Sequence, residues 1–319
     1  KYFYVVKGPE KFYNIILCEK TVKLRRDLFM RYEGVVYRPP SEAGSLIIQL
    51  TIGCARNKCT FCAMFKDKQF RVRKLDEVVE DLVYARKYYE GYNVRRIFLA
   101  DGDALIVKTE DLLYIMDKIH QLFPECERIS AYGAPADVLL KTDEELKRLK
   151  AAGLDMIYMG AESGDDTVLE RVKKGVTSEE IAQAGIKLKK AGMIVSITLI
   201  SGLGGKELVY EHAVNSAKLI SRIKPEYVGF LTLMVEPGTE LYEEHKAGKF
   251  ELLGPQEVMR ELKVFVENVD SEGTVFRANH ASNYVPLKGT FNKDKELMLR
   301  QIDEAEKRGV FRPEIYRGI

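Results

Sequence analysis

The sequence predicts an α/β fold built on a parallel sheet, and three observations lead to that prediction. Six short apolar runs alternate with longer amphipathic stretches at similar spacing along the chain. The apolar runs are hydrophobic throughout rather than at every second residue, which is typical of strands buried on both faces of a sheet. The chain has 319 residues, 46% of them hydrophobic, which is enough to bury such a sheet under helices.

The predicted elements follow one another as strand and then helix. The predicted strands are 46–51, 96–100, 128–132, 156–160, 194–200 and 227–233. The predicted helices are 75–90, 109–123, one that starts at the capping box of Thr142 and Glu145, 166–172, 178–191, one after residue 205, and 293–308. A complete barrel, a partial barrel or an open doubly wound sheet all fit this order. In each of them, the loops after the carboxyl ends of the strands form the active site.

Composition narrows the classes of function. The 50 basic and 48 acidic residues give a net charge of +2, so composition gives no support for a nucleic-acid partner. Eighteen consecutive apolar residues occur nowhere, so we expect no membrane span. The first residues lack the long apolar stretch of a secretion signal, and the cysteine count is odd. We therefore expect a cytoplasmic protein.

Three of the five cysteines, Cys54, Cys59 and Cys62, lie within nine residues directly after the first predicted strand. A structural zinc site and an ordinary iron–sulfur cluster each take four protein ligands, so three thiolates leave one position open. Cys18 and Cys126 stand alone in the sequence, and no role is assigned to them. The spacing by itself allows an iron–sulfur cluster, a zinc site completed by a distant histidine, or a disulfide with a spare thiol.

Three more motifs follow predicted strands in the same way. They are Asp-Gly-Asp at 101–103, Gly-Ala-Glu-Ser-Gly at 160–164 and Ile-Ser-Gly-Leu-Gly-Gly at 200–205. With the cysteine loop, they resemble the radical S-adenosylmethionine (SAM) superfamily, in its large branch with Elp3-, MiaB- and HemN-like cores. The resemblance covers about residues 46–234. One departure is that four residues, rather than the usual three, separate the first two cysteines.

The resemblance implies a partial (β/α)6 TIM-like barrel over residues 46–240. An N-terminal extension, 1–45, would precede it, and a C-terminal extension, 241–319, would pack on the barrel and close the active site. It also implies one [4Fe–4S] cluster held by Cys54, Cys59 and Cys62, with SAM as the second cofactor. In such enzymes, reduction of the cluster cleaves SAM to a 5′-deoxyadenosyl radical, which abstracts hydrogen from an organic substrate. The protein anchors and orients these groups.

Partners follow from the same resemblance. We expect an electron donor such as flavodoxin or ferredoxin, an organic substrate that the sequence does not identify, and anaerobic conditions. The alternative from another class is a non-catalytic carrier or chaperone that binds the cluster and SAM on the same fold, as in heme-chaperone relatives of HemN. A structural zinc protein is the third hypothesis.

The SAM-binding residues that the resemblance implies lie at or near strand ends. They are Phe61, Asp101, Gly102, Asp103, Glu162, Lys174, Ser196, Thr198, Gly202 and Met234. Glu162 would accept hydrogen bonds from the ribose, because a carboxylate at the end of an apolar strand is costly unless it is bonded. Lys174 would pair with the SAM carboxylate. A structural salt bridge for Glu162 and a solvated position for Lys174 are the alternatives.

Substrate contacts are predicted outside these motifs. Tyr132 and His280 are the candidate catalytic side chains, with His280 as an acid or base. Asn279, Asn283 and Tyr284 lie in the same polar segment, 276–284, which would close over the barrel mouth. The alternative is a polar loop whose side chains bond their own backbone. The remaining histidines, His120, His212 and His245, are predicted to lie on the surface.

Overall fold

A computed structural model describes residues 30–318 of the chain. Cys18 and most of the predicted N-terminal extension lie outside these residues. Within them, eight strands form one sheet in the order β1-β4-β5-β6-β7-β8-β9-β10, and β2 and β3 form a small antiparallel pair. The strands are β1 (Leu46–Gln49), β2 (Thr51–Ile52), β3 (Arg71–Val72), β4 (Arg96–Ala100), β5 (Arg128–Tyr132), β6 (Leu154–Glu162), β7 (Ile194–Ser201), β8 (Tyr227–Thr232), β9 (Val275–Ala278) and β10 (Leu287–Thr290).

Helices connect the strands and cover the outside of the sheet. They are α1 (Leu75–Tyr88), α2 (Thr109–Leu122), α3 (Pro135–Leu140), α4 (Asp143–Ala151), α5 (Asp166–Arg171), α6 (Ser178–Lys190), α7 (Val209–Ile223), α8 (Glu240–Lys246), α9 (Pro255–Asn268) and α10 (Lys295–Arg308). In the eight-stranded sheet, every neighbouring pair from β1 through β9 is parallel, and β10 is antiparallel to β9. The α/β class and the parallel order are confirmed, as is the capping box of Thr142 and Glu145.

Alternation along the strands separates an outer core from an inner face. On β7, the side chains of Val195, Ile197 and Leu199 are buried in the core beneath the helices. Ser196 and Thr198 alternate with them and are only partly buried, so they face the concave inner side of the sheet. The inner side is where the loops after the strands converge.

The segment that precedes β1 fills one half of this inner side. Val36 is fully buried and belongs to an inner cluster with Ile47, Phe98 and Tyr158, which lie on β1, β4 and β6. The Tyr32 hydroxyl donates to the Ile47 carbonyl at 2.7 Å. The inner residues of β7 and β8 are more accessible than these, so the inner face is most open beside those two strands.

The residues after β8 extend the core rather than forming a separate one. Phe265 of α9 lies against Phe230 of β8 and Phe276 of β9, with ring centroids 4.8 and 6.3 Å apart. Their packing fixes α9 on the outer face of β8 and β9. No helix within residues 30–318 is long and apolar enough to cross a membrane.

Candidate cluster and cofactor site

The cysteine loop leaves β2 and crosses the carboxyl end of the sheet. Its second half is held at two backbone bonds: the Thr60 amide donates to the Val172 carbonyl at 3.0 Å, and the Leu241 amide donates to the Thr60 carbonyl at 2.9 Å. Phe61 packs among apolar residues that include Leu203 and Leu233, just after β7 and β8. The loop therefore lies over the strand ends where SAM contacts were predicted.

The three thiols of this loop are free and partly buried. The alternative hypothesis, that two of these cysteines form a disulfide, is therefore wrong. Burial, together with the neighbouring Cys59 and Cys54 thiolates, raises the pKa of Cys62 to about 11. Three thiols that influence one another in this way need a positive group between them before all can ionise.

A single metal ion is a poor fit to these thiols. Sulfur ligands of one zinc ion lie within about 4 Å of each other, because each Zn–S bond is about 2.3 Å. In the part of the chain that the structure describes, no three His, Cys, Asp or Glu side chains converge closely enough to hold one ion. Three free thiols on one loop suit a larger group such as a cluster, which spreads its ligands apart.

Gly102 lies directly beneath the cysteine loop. A Cβ atom at this position would lie 2.9 Å from Cys54 Cβ and 2.9 Å from a ring carbon of Phe65. The Gly102 amide also donates to the Gly53 carbonyl at 3.1 Å. Glycine is therefore required for the backbone after β4 to approach the first cysteine.

Asp101 is fully buried beside this glycine. Its Oδ2 accepts hydrogen bonds from Lys68 Nζ at 2.7 Å, the Gly53 amide at 3.1 Å and Gln49 Nε2 at 3.2 Å. Burial raises the pKa of Asp101, although the bond from Lys68 opposes that rise. This carboxylate fixes the start of the cysteine loop, and its Oδ1 has no hydrogen-bond partner among the described residues.

Asp103 lies beside a second carboxyl group, that of Asp137. Burial and the adjacent Asp137 carboxyl raise the pKa of Asp103 well above its ordinary value. Arg56, within the cysteine loop, brings its Nε to 3.5 Å from Asp137 Oδ2. The structure thus places Asp103 near the loop but pairs it with another carboxyl, and its predicted contact with SAM stays a prediction.

Glu162 and Lys174 form an ion pair at the end of β6, with Lys174 Nζ 2.9 Å from Glu162 Oε1. Burial lowers the pKa of Lys174, but Glu162 and the Cys59 and Cys54 thiolates raise it more. The ammonium therefore stays charged next to the cluster loop. Gly160 leaves the room for this pair, because a Cβ there would lie 2.1 Å from Glu162 Oε1. The two predicted SAM ligands are thus brought together.

The other predicted SAM residues lie along β7 and β8. Ser196 and Thr198 are on the inner face of β7, and Gly202 directly follows that strand with a positive φ of 81°. Met234 lies two residues after the end of β8. All four lie at the two strands that Phe61 overlies: Ser196 and Thr198 within β7, and Gly202 and Met234 just beyond the strand ends.

A buried polar network that sequence reasoning missed supports these strand ends. Ser163 Oγ lies 2.8 Å from His212 Nδ1, and His212 Nε2 donates to the Ile200 carbonyl at 3.0 Å. Glu261 of α9 accepts from the Gly202 amide at 2.8 Å and from the Ser201 hydroxyl. The network therefore links the loop after β6 to the end of β7.

The predicted surface position of His212 is wrong, because the residue is fully buried. It shares the apolar side of α7 with Leu219 and Ile223, and helical periodicity could have revealed this. Burial lowers the pKa of His212 to about 4, so the ring is neutral at pH 7 and can accept a hydrogen bond from Ser163.

The predicted substrate residues do not form one site. Tyr132 is the last residue of β5 and packs against the rings of Phe98 and Tyr158, at 5.0 and 6.3 Å between centroids. His280 Nδ1 lies 2.9 Å from Ser282 Oγ, and burial lowers the pKa of His280 to about 4. The two candidate catalytic side chains thus have separate surroundings.

The rest of the polar segment is held by contacts with β8 and with residues near the C-terminal end of the described chain. Asn283 is buried and donates to the Phe230 carbonyl at 2.9 Å. The Tyr284 hydroxyl donates to Glu314 at 2.6 Å, and Asn279 is exposed. The segment covers the end of β8, and substrate roles for these residues stay predictions.

Comparison with known proteins gives one matching family model, "Radical SAM superfamily", over residues 48–220, which is more than half of the chain. The chain is 25% identical over 218 residues to the heme chaperone HemW of Bacillus subtilis, covering 67% of this chain and 56% of that protein. It is 27% identical over 233 residues to 4′-phospho-dehydrooxetanocin synthase of Priestia megaterium, covering 65% and 31%. The matches thus span about half or less of these relatives.

Solved structures agree on the fold. Coproporphyrinogen III oxidase (HemN) of Escherichia coli, a radical SAM enzyme, superposes with a TM-score of 0.54 at 18% identity, covering 70% of this chain and 52% of that one. The methyltransferase TsrM of Kitasatospora setae, with cobalamin and a [4Fe–4S] cluster bound, gives 0.53 at 19% identity, covering 67% and 42%. The predicted partial barrel is confirmed by these likenesses.

Proposed function

Because the chain belongs to the radical SAM superfamily, we propose that it is an enzyme that cleaves SAM reductively to abstract hydrogen from an organic substrate. Members of the superfamily bind one [4Fe–4S] cluster and SAM, and these are the cofactors of this chain. When bound, the two groups supply the 5′-deoxyadenosyl radical. The protein supplies the anchoring, the charge and the shelter from water.

The observation that carries the proposal is the set of three free thiols facing a buried cation. Cys54, Cys59 and Cys62 would hold the cluster. Burial raises the pKa of Cys54 and Cys59, and the charge of Lys174 opposes that rise. A positive side chain beside three thiolates favours their ionised form, which is the form that binds iron.

The Glu162–Lys174 pair would hold the two ends of SAM. Lys174 would bind the carboxylate of the methionyl end, and Glu162 would accept from the ribose hydroxyls. The two side chains lie 2.9 Å apart and neutralise each other. A pair buried to this degree costs free energy when one partner is lost, so SAM must offer each group a replacement.

The remaining predicted contacts surround the adenosyl part. Phe61 would lie against the adenine, with the Gly202 backbone and Met234 around it, and Ser196 and Thr198 would reach the ribose. The Gly102 backbone would approach the methionyl ammonium beside Asp101 and Asp103. Electrons would come from a small donor protein such as flavodoxin or ferredoxin.

Anaerobic reconstitution with iron and sulfide tests the proposal. We expect brown absorbance, about four irons per chain, and dithionite-dependent release of 5′-deoxyadenosine from SAM. Alanine substitution of Cys54, Cys59 or Cys62 should abolish both signals. Cys126→Ala is the matched control, since Cys126 is also a partly buried free thiol but lies away from the loop. A colourless wild-type protein would refute the proposal.

A second function is favoured by the similarity to the heme chaperone HemW. On this hypothesis the chain binds the cluster and SAM but serves as a carrier and does not turn SAM over. Cluster absorbance without 5′-deoxyadenosine release, together with stoichiometric binding of added heme, would support the carrier. Release of 5′-deoxyadenosine over many turnovers would support the enzyme.

A further inference from the structure

One register level of the sheet carries an unusual row of residues across five strands. Gly160 of β6 pairs with Thr198 of β7, and Thr198 pairs with Gly229 of β8. Gly229 pairs with Arg277 of β9, and Arg277 pairs with Lys288 of β10. The row therefore begins under the Glu162–Lys174 pair and ends in two cationic side chains.

All five members lie on the inner side of the sheet. The residues that alternate with them, such as Ala161, Phe230 and Phe276, are buried in the outer core. Because successive side chains of a strand point to opposite faces, the row belongs to the concave face. Arg277 and Lys288 are exposed there, beyond the half that the segment before β1 fills.

Gly229 lies in the middle of this row, between Thr198 and Arg277, and we call this stretch of the concave face the groove. Among residues 30–318, a Cβ at this position would meet one atom within 4 Å, the Ile197 carbonyl oxygen at 3.9 Å, so packing against these residues does not require glycine here. Glycine inside a strand weakens the strand and often marks a place where a ligand approaches closely. Packing therefore leaves the space above Gly229 open to a ligand.

The cationic end of the groove has no acidic partner in the described chain. The Arg277 guanidinium donates to two backbone carbonyls, those of Phe276 at 2.7 Å and Gly289 at 3.4 Å. Neither Arg277 nor Lys288 pairs with a carboxylate of residues 30–318, although ion pairs are frequent elsewhere on the surface. Two adjacent cations without counter-charges attract an anionic group.

We propose that the substrate of the enzyme is an elongated small molecule with a carboxylate or phosphate group, which Arg277 and Lys288 bind while the chain of the molecule lies over Gly229 and Thr198. This inference rests on the proposed function. Neighbouring strands are about 4.8 Å apart, so Arg277 lies about 14 Å along the sheet from Gly160. The reacting carbon would therefore lie some ten bonds from the anionic group, near the Glu162–Lys174 pair.

Anion binding to the reconstituted protein tests the charge. Tripolyphosphate and glutarate serve as the phosphate and carboxylate probes in isothermal titration calorimetry at low salt. We expect the double variant Arg277→Gln with Lys288→Gln to bind about tenfold more weakly whichever of the two probes binds the wild type more tightly. The control pair, Arg300→Gln with Lys307→Gln, removes two exposed cations of α10 and should leave the affinity within about twofold. Equal weakening in both pairs, or no measurable binding to the wild type, would overturn the proposal.

The groove is tested by side-chain size at one position. Gly229→Ala adds a Cβ into open space and should keep wild-type affinity for the probe, whereas Gly229→Phe should weaken it by filling the groove beside Arg277. Equal affinity of these two variants would also overturn the proposal. Release of 5′-deoxyadenosine is measured on the same preparations. A wild type that releases none refutes the proposed function. Normal release without selective anion binding refutes the proposed binding of substrate at Arg277 and Lys288.

Discussion

Glu261 gives the most quantitative prediction, because it is a buried carboxyl group with no Lys or Arg partner among residues 30–318. The side chain lies on α9, is fully buried, and accepts hydrogen bonds from Ser201 and the Gly202 amide through Oε2. Its Oε1 lies 3.8 Å from His212 Nε2 and has no hydrogen-bond partner among the described residues. Burial raises the pKa of Glu261 from the ordinary 4.5 to about 7, although the two hydrogen bonds oppose that rise. Glu261→Gln removes the ionisable group and keeps an oxygen acceptor.

The direction in which the free energy of unfolding changes with pH follows from proton binding. Between pH 4.5 and about 7 the folded protein holds the Glu261 proton and the unfolded chain has released it, so the free energy of unfolding falls as pH rises through this window. The stabilisation is complete below pH 4.5 and lost above about pH 7. A shift of this size corresponds to about 3 kcal/mol, at 1.36 kcal/mol for each pKa unit.

Thermal unfolding followed by circular dichroism under anaerobic conditions measures this difference. Between pH 5 and pH 8, Glu261→Gln should gain about 2.5 kcal/mol, or about 4 °C in Tm, relative to the wild type. Destabilisation at pH 5 from His212, whose pKa burial lowers to about 4, occurs in both proteins and cancels in the comparison. Glu267→Gln, on the exposed side of the same helix, should follow the wild type at both pH values. Parallel pH curves for Glu261→Gln and the wild type would refute the reasoning.

Three further substitutions test the site, the core and a helix cap. Gly160→Ala should displace Glu162, whose Oε1 would lie 2.1 Å from the new Cβ, and weaken SAM binding about tenfold in equilibrium dialysis with unchanged cluster absorbance; unchanged SAM affinity would contradict the role given to Glu162. Phe265→Ala should cost about 3–5 kcal/mol of unfolding free energy in a denaturant titration, because the fully buried ring touches three other rings. Thr142→Ala should cost about 1 kcal/mol in the same titration by removing the acceptor of the Glu145 amide, and a loss of less than a few tenths would show that the capping box is dispensable.

The cysteine loop illustrates how far local sequence reaches. Spacing alone left a cluster, a zinc site and a disulfide open, because the same three residues can serve each. The structure removes the disulfide and shows that the thiols do not converge on one ion. It also adds Lys174, whose distance along the chain from the cysteines hides how strongly its charge acts on them.

His212 shows where local sequence is not enough. The sequence context of His212 predicted a surface position, yet the residue is buried between the loop after β6 and the end of β7. Its partners Ser163 and Ile200 come from other parts of the chain, and Glu261 lies 49 positions further on. Helical periodicity could have predicted that the ring is buried, but only the tertiary structure shows which groups it bonds.

The sequence by itself determined the alternation of strands and helices, the parallel sheet and the end of that sheet where the motifs gather. Those features depend on periodicity and on residues close together in the chain, which propensity and burial make readable. Tertiary structure alone decided the pairing of Glu162 with Lys174, the acid pair of Asp103 and Asp137, and the row that leads from Gly160 to Lys288. These depend on strand register and on close approaches between distant segments, which no local pattern encodes.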